Sequence, residues 1–342
     1  MASLAFISKE LGLSKATVSR AFDPRFSDMV KEETRKRIYD FCREHNYHPS
    51  MIGRSFSTGR TFKIGIVVEG TYKHFSQFFS SFFYGVTAAA IERNYTPVIL
   101  NLDQDPSSYI NLIKSSVADA YIIDSFNCRQ ELYDILTQRD LPAVVHDQYN
   151  IFTGGLPVLY RDITPAYRKL WQNLQSEYQN STAFVWRGLV PGKWRDLQNA
   201  APPGVTVDSI QISDRKENAL LHRDSARAGA EKLLDKLLKY KLLWCSSDMV
   251  ALGICDTLTA HGIKPGKDIY IVGFDNLEGT LEDFPGSELT SIDPLWNSSG
   301  RQLAKMLLDS LDSDTALPLR TQWVPEVVFR STFPENKDTD IR

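Results

Sequence analysis

The stretch "LGLSKATVSRAF", residues 11–22, predicts a short helix with little apolar surface. Ser14 has the side chain of a helix N-cap, and Leu13 before it can pack on Val18 as a hydrophobic staple. Val18 and Phe22 then form the apolar face, and the outward-facing residues are Lys15, Ala16, Ser19 and Arg20. A helix of two turns is not stable alone, so neighbouring helices must hold it.

Both flanking segments have a helical pattern. "SLAFISKEL" (residues 3–11) ends at Gly12, and "KEETRKRIYDFCREHNY" covers residues 31–47. Their apolar positions recur at helical spacing: Leu4, Ile7 and Leu11 in the first helix, Ile38, Phe41 and Cys42 in the third. Three helices with a glycine turn predict a helix-turn-helix unit, whose second helix enters the major groove of DNA. A three-helix bundle without a nucleic-acid role fits the same pattern.

Charge and length support a separate head. A chain of 342 residues exceeds the usual size of a single core, so two or more domains are expected. Residues 1–60 contain 11 Lys and Arg against 7 Asp and Glu, a net charge of +4. Because the whole chain carries −3, the remainder carries −7. A small basic head on an acidic body indicates polyanion binding at one end.

The composition favours a soluble cytoplasmic protein. The four cysteines have no paired spacing, which is typical of buried reduced thiols; they are Cys42, Cys128, Cys245 and Cys255. No basic segment followed by an apolar stretch marks a secretory signal. The apolar runs are shorter than the roughly 20 residues that span a bilayer. We therefore expect no membrane partner.

The rest of the chain alternates strands and helices. Ten apolar runs predict strands in two groups: "FKIGIVV", "TPVILNL", "AYIID" and "PAVVH", then "TAFVW", "VDSIQI", "LLWCSS", "IYIVGF", "ELTSI" and "EVVF". This alternation predicts two doubly wound parallel sheets with right-handed crossovers, an α/β body of two lobes. Ligands bind at the carboxyl ends of such strands, so the cleft between the lobes is the expected binding site.

Two other protein classes, enzymes and solute receptors, fit the sequence less well. "GLVPGK" (residues 188–193) lacks the spacing of a phosphate loop and has Trp194 where Ser or Thr must stand. The sequence has no G-x-S-x-G elbow and no H-E-x-x-H pair, so we predict no enzyme, no catalytic or metal site and no cofactor. Asp147 and Asp275 end strands, as catalytic carboxylates often do. A solute receptor explains the body but neither the head nor the missing secretory signal.

Motifs along the chain resemble the lactose/galactose repressor (LacI/GalR) family in order and spacing. They are "GLSKATVSRAF", "EETRKRI", "YHPS…GRSFSTGRT", "IGIVV", "SQFFSSFFYGV", "VADAYII", "LPAVVHD", "SSDMVALGICDTLTAHGIKPGKDIYIVGFDN", "LTSIDP" and "VPEVVFRST". The resemblance implies a body like type I periplasmic sugar-binding proteins, with three chain crossings between the lobes. The implied divisions are a head at 1–48, a hinge helix and linker at 49–60 and a body at 61–342. Lobe one takes about 61–160 and 291–322, and lobe two takes about 161–290 and 323–334.

The resemblance also implies how the head binds DNA. Lys15, Ala16 and Arg20 take the positions that specify the operator, while Ser14, Thr17 and Ser19 contact phosphates. The hinge "SMIGRSF" would lie in the minor groove, and its contributing residues are Ser50, Gly53, Arg54 and Phe56. Phe56 stands where the family has leucine, as an apolar wedge. Gly53 lowers helix propensity, so the hinge is expected to lack structure off DNA. The alternative role of Phe56 is packing against the body.

The family's effector positions fall on a third set of residues: Phe78, Phe79, Asp147, Lys193 or Arg195, Ser247, Asp275 and Trp296. For the three aromatics, ordinary core packing is the alternative. "LYRD" replaces the family's Val-Asp-Asn, which makes Asp162 a doubtful site residue. The resemblance implies a homodimeric repressor that binds pseudopalindromic double-stranded operator DNA and a small-molecule effector. A sugar or sugar derivative is the first expectation and a nucleobase the alternative.

Overall fold

The structure is a computed structural model of the chain, and it divides into two compact units, Met1–Phe62 and Lys63–Arg342. We call these units the head and the body. The residues that the structure describes are 3–22, 24–48, 51–68, 77–101, 106–124, 130–187, 192–213, 222–277, 288–313 and 315–333. Among their helices, none combines the length and the apolar character needed to cross a membrane.

The head contains the predicted helices. Its elements are α1 (Leu4–Leu11), α2 (Lys15–Ala21), a 3-10 segment (Pro24–Met29), α3 (Glu32–Glu44) and α4 (Met51–Thr58). Ser3 caps α1 by accepting the N–H of Phe6 at 3.2 Å. Gly12 follows α1 with φ of 65°, a left-handed conformation that glycine adopts without strain. These two caps fix the length of α1 and the tight turn into α2.

The core of the head joins the three predicted helices and the loop before α3. Its buried side chains are Ile7, Leu11, Val18, Ala21, Val30, Ile38 and Cys42. One expectation about α2 needs correction. Ala21 is buried with Val18, whereas Phe22 ends the helix and is only partly buried against the same core. The small Ala21 side chain lets α2 lie close to its neighbours, and the Phe22 ring packs instead against Tyr39.

The body contains two six-stranded sheets. The first has the order β11-β5-β4-β3-β1-β2 and the second has the order β12-β10-β9-β8-β6-β7. The strands of the first sheet are β1 (Lys63–Val68), β2 (Thr96–Asn101), β3 (Ala120–Asp124), β4 (Ala143–Asp147), β5 (Val158–Arg161) and β11 (Arg320–Trp323). Those of the second are β6 (Thr182–Arg187), β7 (Asp208–Ser213), β8 (Leu242–Cys245), β9 (Tyr270–Phe274), β10 (Thr290–Asp293) and β12 (Glu326–Val328). The described pairings are parallel except that β10 pairs antiparallel with β12.

Helices cover the two sheets. They are α5 (Gln77–Glu92), α6 (Pro106–Lys114), α7 (Gln130–Gln138), α8 (Thr164–Gln172), α9 (Ser176–Gln179), α10 (Lys193–Ala200), α11 (His222–Leu237), α12 (Asp248–Ala260) and α13 (Trp296–Ser313). In the second sheet, one apolar core lies under α8 and α10 and another under α11 and α12. Sheets with both faces covered need strands that are apolar throughout, and β8 is buried at all four positions. The two-lobed α/β fold predicted from the sequence is therefore confirmed.

The boundaries between the lobes differ from the predicted ones by one to three residues. The first sheet keeps its fifth strand to Arg161, because β5 pairs with β11 through that residue. In the second sheet, the pairing of β10 extends to Asp293. In the first sheet, the pairing of β11 extends to Trp323. The crossings thus follow 161, 293 and 323, near the predicted 160, 290 and 322. Hydrogen bonding to the neighbouring strand determines where these three strands end, and the apolar pattern of the sequence does not predict that pairing.

Candidate functional site

One side of α2 presents polar side chains to solvent. Lys15, Ala16, Ser19 and Arg20 are exposed, whereas Val18 on the opposite side has no exposed surface. Ser14 caps the helix by accepting the N–H of Thr17 at 3.0 Å. The Ser14 and Thr17 hydroxyls lie 2.8 Å apart, so both stand at the first turn. The six positions predicted to contact DNA therefore share α2 and its N-cap.

The cations of α2 differ from those of α3. Lys15 and Arg20 form no ion pair or hydrogen bond through their side chains within the described chain. On α3, by contrast, Arg35 pairs with Glu32 and the Arg37 guanidinium donates to the Leu11 carbonyl at 2.5 Å. The α2 cations are thus available to phosphate oxygens or to the guanine edge, which Arg contacts with two hydrogen bonds.

The hinge segment is a helix in the structure, and the expectation that it orders only on DNA stays a prediction. The Thr58 hydroxyl donates to the Arg54 carbonyl at 2.9 Å, and the Gly59 N–H donates to the Ser55 carbonyl at 2.9 Å. Gly59 has φ of 68°, so it ends α4 as Gly12 ends α1. This cap at the carboxyl end counters the propensity lost at the exposed Gly53.

Two hinge predictions and two effector predictions lie wholly or partly outside what the structure describes. Ser50 is outside the described residues. Phe56 lies in α4, and Phe78 and Phe79 lie in α5, but their side chains are outside the description. Arg54 is described, and its guanidinium carbon lies 3.9 Å from the centroid of the Phe62 ring. Cation–π contact of this kind links the end of the hinge to the residue before β1.

In the body, a buried arginine lies where the two sheets meet. Arg161 ends β5 of the first sheet and is 3% exposed. Its guanidinium carbon lies 5.0 Å from the ring centroid of Phe274, which ends β9 of the second sheet. The rings of Trp296 and Tyr149 lie 5.5 and 5.8 Å away. The carboxyl ends of strands from both lobes therefore converge here, as expected for a ligand site in this class of fold.

The structure distinguishes Lys193 from Arg195. Lys193 opens α10, is 8% exposed, and its ammonium donates to the Ser246 carbonyl at 2.7 Å. The same ammonium lies 3.5 Å from the centroid of the Phe274 ring. Arg195 instead has a side chain that is 54% exposed and pairs with Asp196 at 3.0 Å. Burial lowers the pKa of Lys193 to about 8, an effect that Asp275 opposes.

Asp275 is the carboxylate of this cluster that makes no hydrogen bond through its side chain within the described chain. It follows β9 with φ of 117°, a conformation that L-residues rarely adopt. Burial raises the pKa of Asp275 to about 7, although Lys193 acts to lower it. Strained backbone that holds a functional side chain is common at ligand sites.

Asp248 is a structural carboxylate beside Asp275. It is 2% exposed, and its oxygens accept the Ser291 hydroxyl at 2.6 Å and the Leu277 N–H at 2.8 Å. Burial raises the pKa of Asp248, and these two hydrogen bonds act to lower it. Ser247, a predicted effector residue, caps α12 by accepting the N–H of Val250 at 3.3 Å. Asp248 therefore ties β10 to the loop after β9, the loop that carries Asp275.

Asp147 also has its oxygens engaged. Fully buried at the end of β4, it accepts the N–H of Tyr149 at 3.2 Å and that of Phe152 at 2.7 Å. These bonds hold the loop that presents the Tyr149 ring to Arg161. Asp162 likewise caps the turn before α8, where it accepts the N–H of Thr164 at 3.0 Å. Both carboxylates position backbone, and the effector contact of Asp147 stays a prediction.

An aromatic wall closes the side of the first sheet. His146 is 4% exposed and stacks on Trp323, with ring centroids 4.8 Å apart. Trp296, the first residue of α13, lies 6.0 Å from the His146 ring and is partly exposed. Burial lowers the pKa of His146 to about 3, so the imidazole is neutral. Trp296 thus faces both the buried arginine and the wall, whereas His146 and Trp323 are core.

Sequence reasoning missed Arg161 and His146. "LYRD" drew attention only to Asp162, because the segment stands in place of the family's Val-Asp-Asn and was not predicted as a strand. Position along the strand was the available signal, since Arg161 ends β5 as Asp147 ends β4. Within the described residues, no group of three or more His, Cys, Asp or Glu could hold a metal ion.

Two sequence profiles match the chain. Residues 6–50 match "Bacterial regulatory proteins, lacI family", and residues 204–333 match "Periplasmic binding protein-like domain". The transcriptional regulator RegA of Clostridium saccharobutylicum is 25% identical over 91% of this chain and 92% of its own length. The transcriptional repressor PurR of Vibrio atlanticus (strain LGP32) is 24% identical over 97% of this chain and 98% of its own.

Solved structures share the fold. A Lac repressor dimer bound to operator and the anti-inducer ONPF has a TM-score of 0.69 at 16% identity, over 97% of this chain and 99% of the other. A complex of the regulator CelR with cellobiose has a TM-score of 0.63 at 19% identity, over 97% of this chain and all of the other. With the lacI-family head, the periplasmic-binding-protein-like body and relatives along nearly the whole chain, this protein belongs to the LacI family of DNA-binding transcriptional regulators.

Proposed function

We propose that the protein is a homodimeric repressor whose affinity for a pseudopalindromic operator is controlled by a small molecule bound in the body. The observation that carries the proposal is the exposed, unpaired pair of cations on α2, Lys15 and Arg20. A single helix-turn-helix head buries too little surface for tight specific binding, so two heads read two half-sites. The site of action is the cytoplasm, on the nucleoid when operator is bound, and no catalytic role is proposed.

Base reading is assigned to three side chains of α2. Arg20 makes a two-hydrogen-bond contact with guanine, and Lys15 and Ala16 face neighbouring base edges. Ser14, Thr17 and Ser19 orient the head through phosphates. The hinge helix α4 adds minor-groove contacts through Ser50, Gly53 and Arg54, with Phe56 as the wedge that unstacks a base step. The proposed division keeps residues 1–48 as head, 49–60 as hinge and 61–342 as body.

Exposed apolar side chains in the body support dimer formation. Tyr84 and Ile91 lie seven residues apart on α5, and they are 69% and 64% exposed. Ile99 on β2, the edge strand of the first sheet, is 44% exposed. Helical spacing of seven puts the first two on one face, so a partner could cover that face continuously. We assign this surface to the dimer.

The effector site is the cluster of Arg161, Lys193 and Asp275 with the rings of Phe274 and Trp296. Ser247, Phe78, Phe79 and Asp147 remain proposed members, and Asp147 also holds the loop beside the cluster. A sugar or sugar derivative suits carboxylate and cation together, because these groups hydrogen-bond hydroxyls while aromatic rings pack on apolar faces. A nucleobase co-repressor is the alternative.

The DNA-reading proposal is tested by selecting binding sites from random duplexes with the purified full chain. We expect a two-fold symmetric consensus with two half-sites. Arg20→Ala should flatten the preference at one base pair in each half-site, a loss of roughly 1–3 kcal/mol of discrimination. Arg43→Ala is the matched control, because Arg43 is an exposed α3 arginine paired with Asp40. If Arg20→Ala weakened all sequences equally, Arg20 would contact phosphate instead.

Effector control is tested on the selected operator. Asp275→Ala should abolish the change in DNA affinity that ligand produces, while the affinity of the unliganded protein stays the same. Only a ligand with different affinities for the two states of the body can produce that change. Asp147→Ala should weaken the response through the loop that carries Tyr149. Loss of operator binding in both variants without ligand would indicate a folding defect and would contradict this division of roles.

A further inference from the structure

Arg161 is buried without a partner for its charge. It is 3% exposed, its Nε is fully enclosed without a hydrogen-bond partner, and no ion pair joins it to the described chain. The rings of Phe274, Trp296 and Tyr149 surround it at 5.0 to 5.8 Å. Cation–π contacts offset part of the lost hydration, but a ring face accepts none of the hydrogen bonds that a guanidinium fork can make.

A second cation lies against the same ring. The Lys193 ammonium is 3.5 Å from the centroid of Phe274, and its only described acceptor is the Ser246 carbonyl. An ammonium has three N–H groups, so two remain without an acceptor in the described chain. Two buried cations on one ring repel each other. Burial lowers the pKa of Lys193 most, Asp275 acts to raise it, and Arg161 lowers it further. Such an arrangement is costly unless an anion completes it.

The nearby carboxylates do not supply that anion. Both oxygens of Asp248 accept hydrogen bonds from Ser291 and Leu277, and both oxygens of Asp147 accept backbone N–H groups. Asp275 is the remaining carboxylate, and it makes no ion pair with either cation within the described chain. Burial raises its pKa to about 7, so at neutral pH it carries less than a full negative charge.

We infer that the effector carries an anionic group, a carboxylate or a phosphate, which Arg161 and Lys193 bind together while Asp275 accepts hydroxyl groups of the same molecule. A guanidinium binds either anion through two parallel hydrogen bonds, and an ammonium adds a point charge. The inference rests on the proposed effector site. It narrows the expected effector to sugar acids or sugar phosphates, in preference to neutral sugars and nucleobases.

The test compares matched ligands on the full-length protein at constant ionic strength. Glucose, gluconate and glucose 6-phosphate, then ribose, ribonate and ribose 5-phosphate, form two neutral–carboxylate–phosphate series, with inorganic phosphate as the minimal probe. The shift in melting temperature and the dissociation constant are measured for each. We expect a charged member to shift the melting temperature further than its neutral partner, and the larger of the two charged responses identifies carboxylate or phosphate.

Variants assign the response to the two cations. Arg161→Gln should reduce affinity for the charged ligand at least tenfold, and Lys193→Gln should reduce it less. Arg161→Lys should recover part of the affinity as a point charge. The control is Arg168→Gln, which removes the same charge from the exposed side of α8 and should leave affinity unchanged. Each shift is measured against the unliganded melting temperature of the same variant.

Three results would overturn the inference. They are equal or greater stabilisation by the neutral sugars, no stabilisation by any anion including phosphate, and unchanged anion affinity in Arg161→Gln. Operator binding is measured on the same samples. Anion binding that survives while no ligand alters operator affinity would refute the effector control proposed above and leave the anion site intact. If a neutral sugar alone changed operator affinity, the anion site would be refuted and the proposed effector control would stand.

Discussion

The α2 surface and the Arg161 cluster each present two cations that lack an ion pair in the described chain, but their surroundings are opposite. Lys15 and Arg20 are exposed, so water solvates their charges and the head loses little stability by carrying them. Arg161 and Lys193 are 3% and 8% exposed, so the body gives up their hydration. A lysine and an arginine therefore suit a reversible surface contact on α2, and an enclosed, selective contact in the Arg161 cluster.

The comparison implies different responses to salt. An exposed cation pair that binds DNA phosphates releases counterions, so operator affinity should fall steeply as salt rises. A buried pair is screened much less, so ligand affinity in the body should change little over the same range. Burial also means that changes near Arg161 alter the stability of the fold, whereas changes on the face of α2 alter DNA binding.

The largest effect is expected from Gly273→Ala in β9. A Cβ at this position would lie 2.1 Å from Oδ1 of Asp248, the oxygen that accepts the Ser291 hydroxyl. The carboxylate must move, which leaves Ser291 and Leu277 without their acceptor. Overpacking costs about 1–3 kcal/mol, and an unsatisfied buried group costs about as much again. We expect the body to lose at least about 3 kcal/mol in urea unfolding.

The control for this substitution is Gly155→Ala. Its Cβ would meet the Tyr133 hydroxyl at 2.9 Å, the far end of a partly exposed side chain that can turn away. Hydrogen exchange of α2 amides should remain as in the parent for both variants. Equal stability of the two variants would show that the Asp248 oxygens tolerate displacement and that the site is less rigid than the contacts indicate.

The second effect is the pH dependence of Asp275. Burial raises its pKa to about 7 in the folded protein from an ordinary value of 3.8. The folded state therefore holds the proton more tightly, and the resulting stability is present below about pH 4 and is lost as pH rises to about 7. Relative to Asp275→Asn, the parent should lose stability across that window and stay level above it. Chemical unfolding of both proteins from pH 4 to 8 measures the difference.

A flat difference between the two curves would contradict the assignment, because it would mean that Asp275 titrates alike in the folded and unfolded states. Asn is a suitable replacement since it tolerates the positive φ at this position better than most residues do. The exposed Asp312, which pairs with Arg93, provides the comparison, because Asp312→Asn makes the same substitution at the surface of the body.

The third effect separates stability from function at Arg161. Arg161→Met keeps an unbranched side chain against the Phe274 and Trp296 rings and removes the uncompensated charge. Replacing buried ionic groups by apolar ones of similar volume is often neutral or stabilising by about 1–4 kcal/mol. We expect the unliganded body to gain about 1–2 kcal/mol and to lose anion binding. Arg168→Met, at an exposed position of α8, should change neither the stability nor the anion binding. A destabilised Arg161→Met would show that the aromatic contacts satisfy the cation.

The head could be derived from the sequence because its determinants are local. Ser3, Gly12 and Ser14 each fix a helix end through contacts within a few residues, and the apolar spacing identifies the buried face. The burial of Phe22 was predicted wrongly because the side chain of a residue at a helix end can point towards the core or away from it. The hinge was harder: the propensity of Gly53 suggested disorder, while the cap at Gly59 and the contact of Arg54 with Phe62 favour the helix.

The body's sheets were predictable and its binding site much less so. Apolar runs gave the ten predicted strands. The four-residue strands β5 and β11 were missed because their apolar runs are interrupted, by Arg161 in β5 and by Arg320 and Gln322 in β11. The Arg161 cluster joins residues at the ends of four elements that are far apart in the chain, β5, α10, β9 and α13. Sequence could place Lys193 and Arg195 near one turn, but only the packing of α10 determines which of them is buried.

The smallest predicted effect tests whether Ser14 on α2 supports the fold, the DNA contact or both. Ser14→Ala removes the acceptor for the Thr17 N–H and should cost about 1 kcal/mol, seen as roughly fivefold faster hydrogen exchange of the α2 amides in the full chain. Ser14→Asp restores an N-cap acceptor next to the positive end of the helix, so exchange should return to the parent rate. If Ser14 also contacts phosphate, the new carboxylate repels the DNA, and operator affinity should fall further in Ser14→Asp than in Ser14→Ala. Equal affinity in the two variants would confine Ser14 to capping, and the phosphate contacts of α2 would then fall to Thr17 and Ser19.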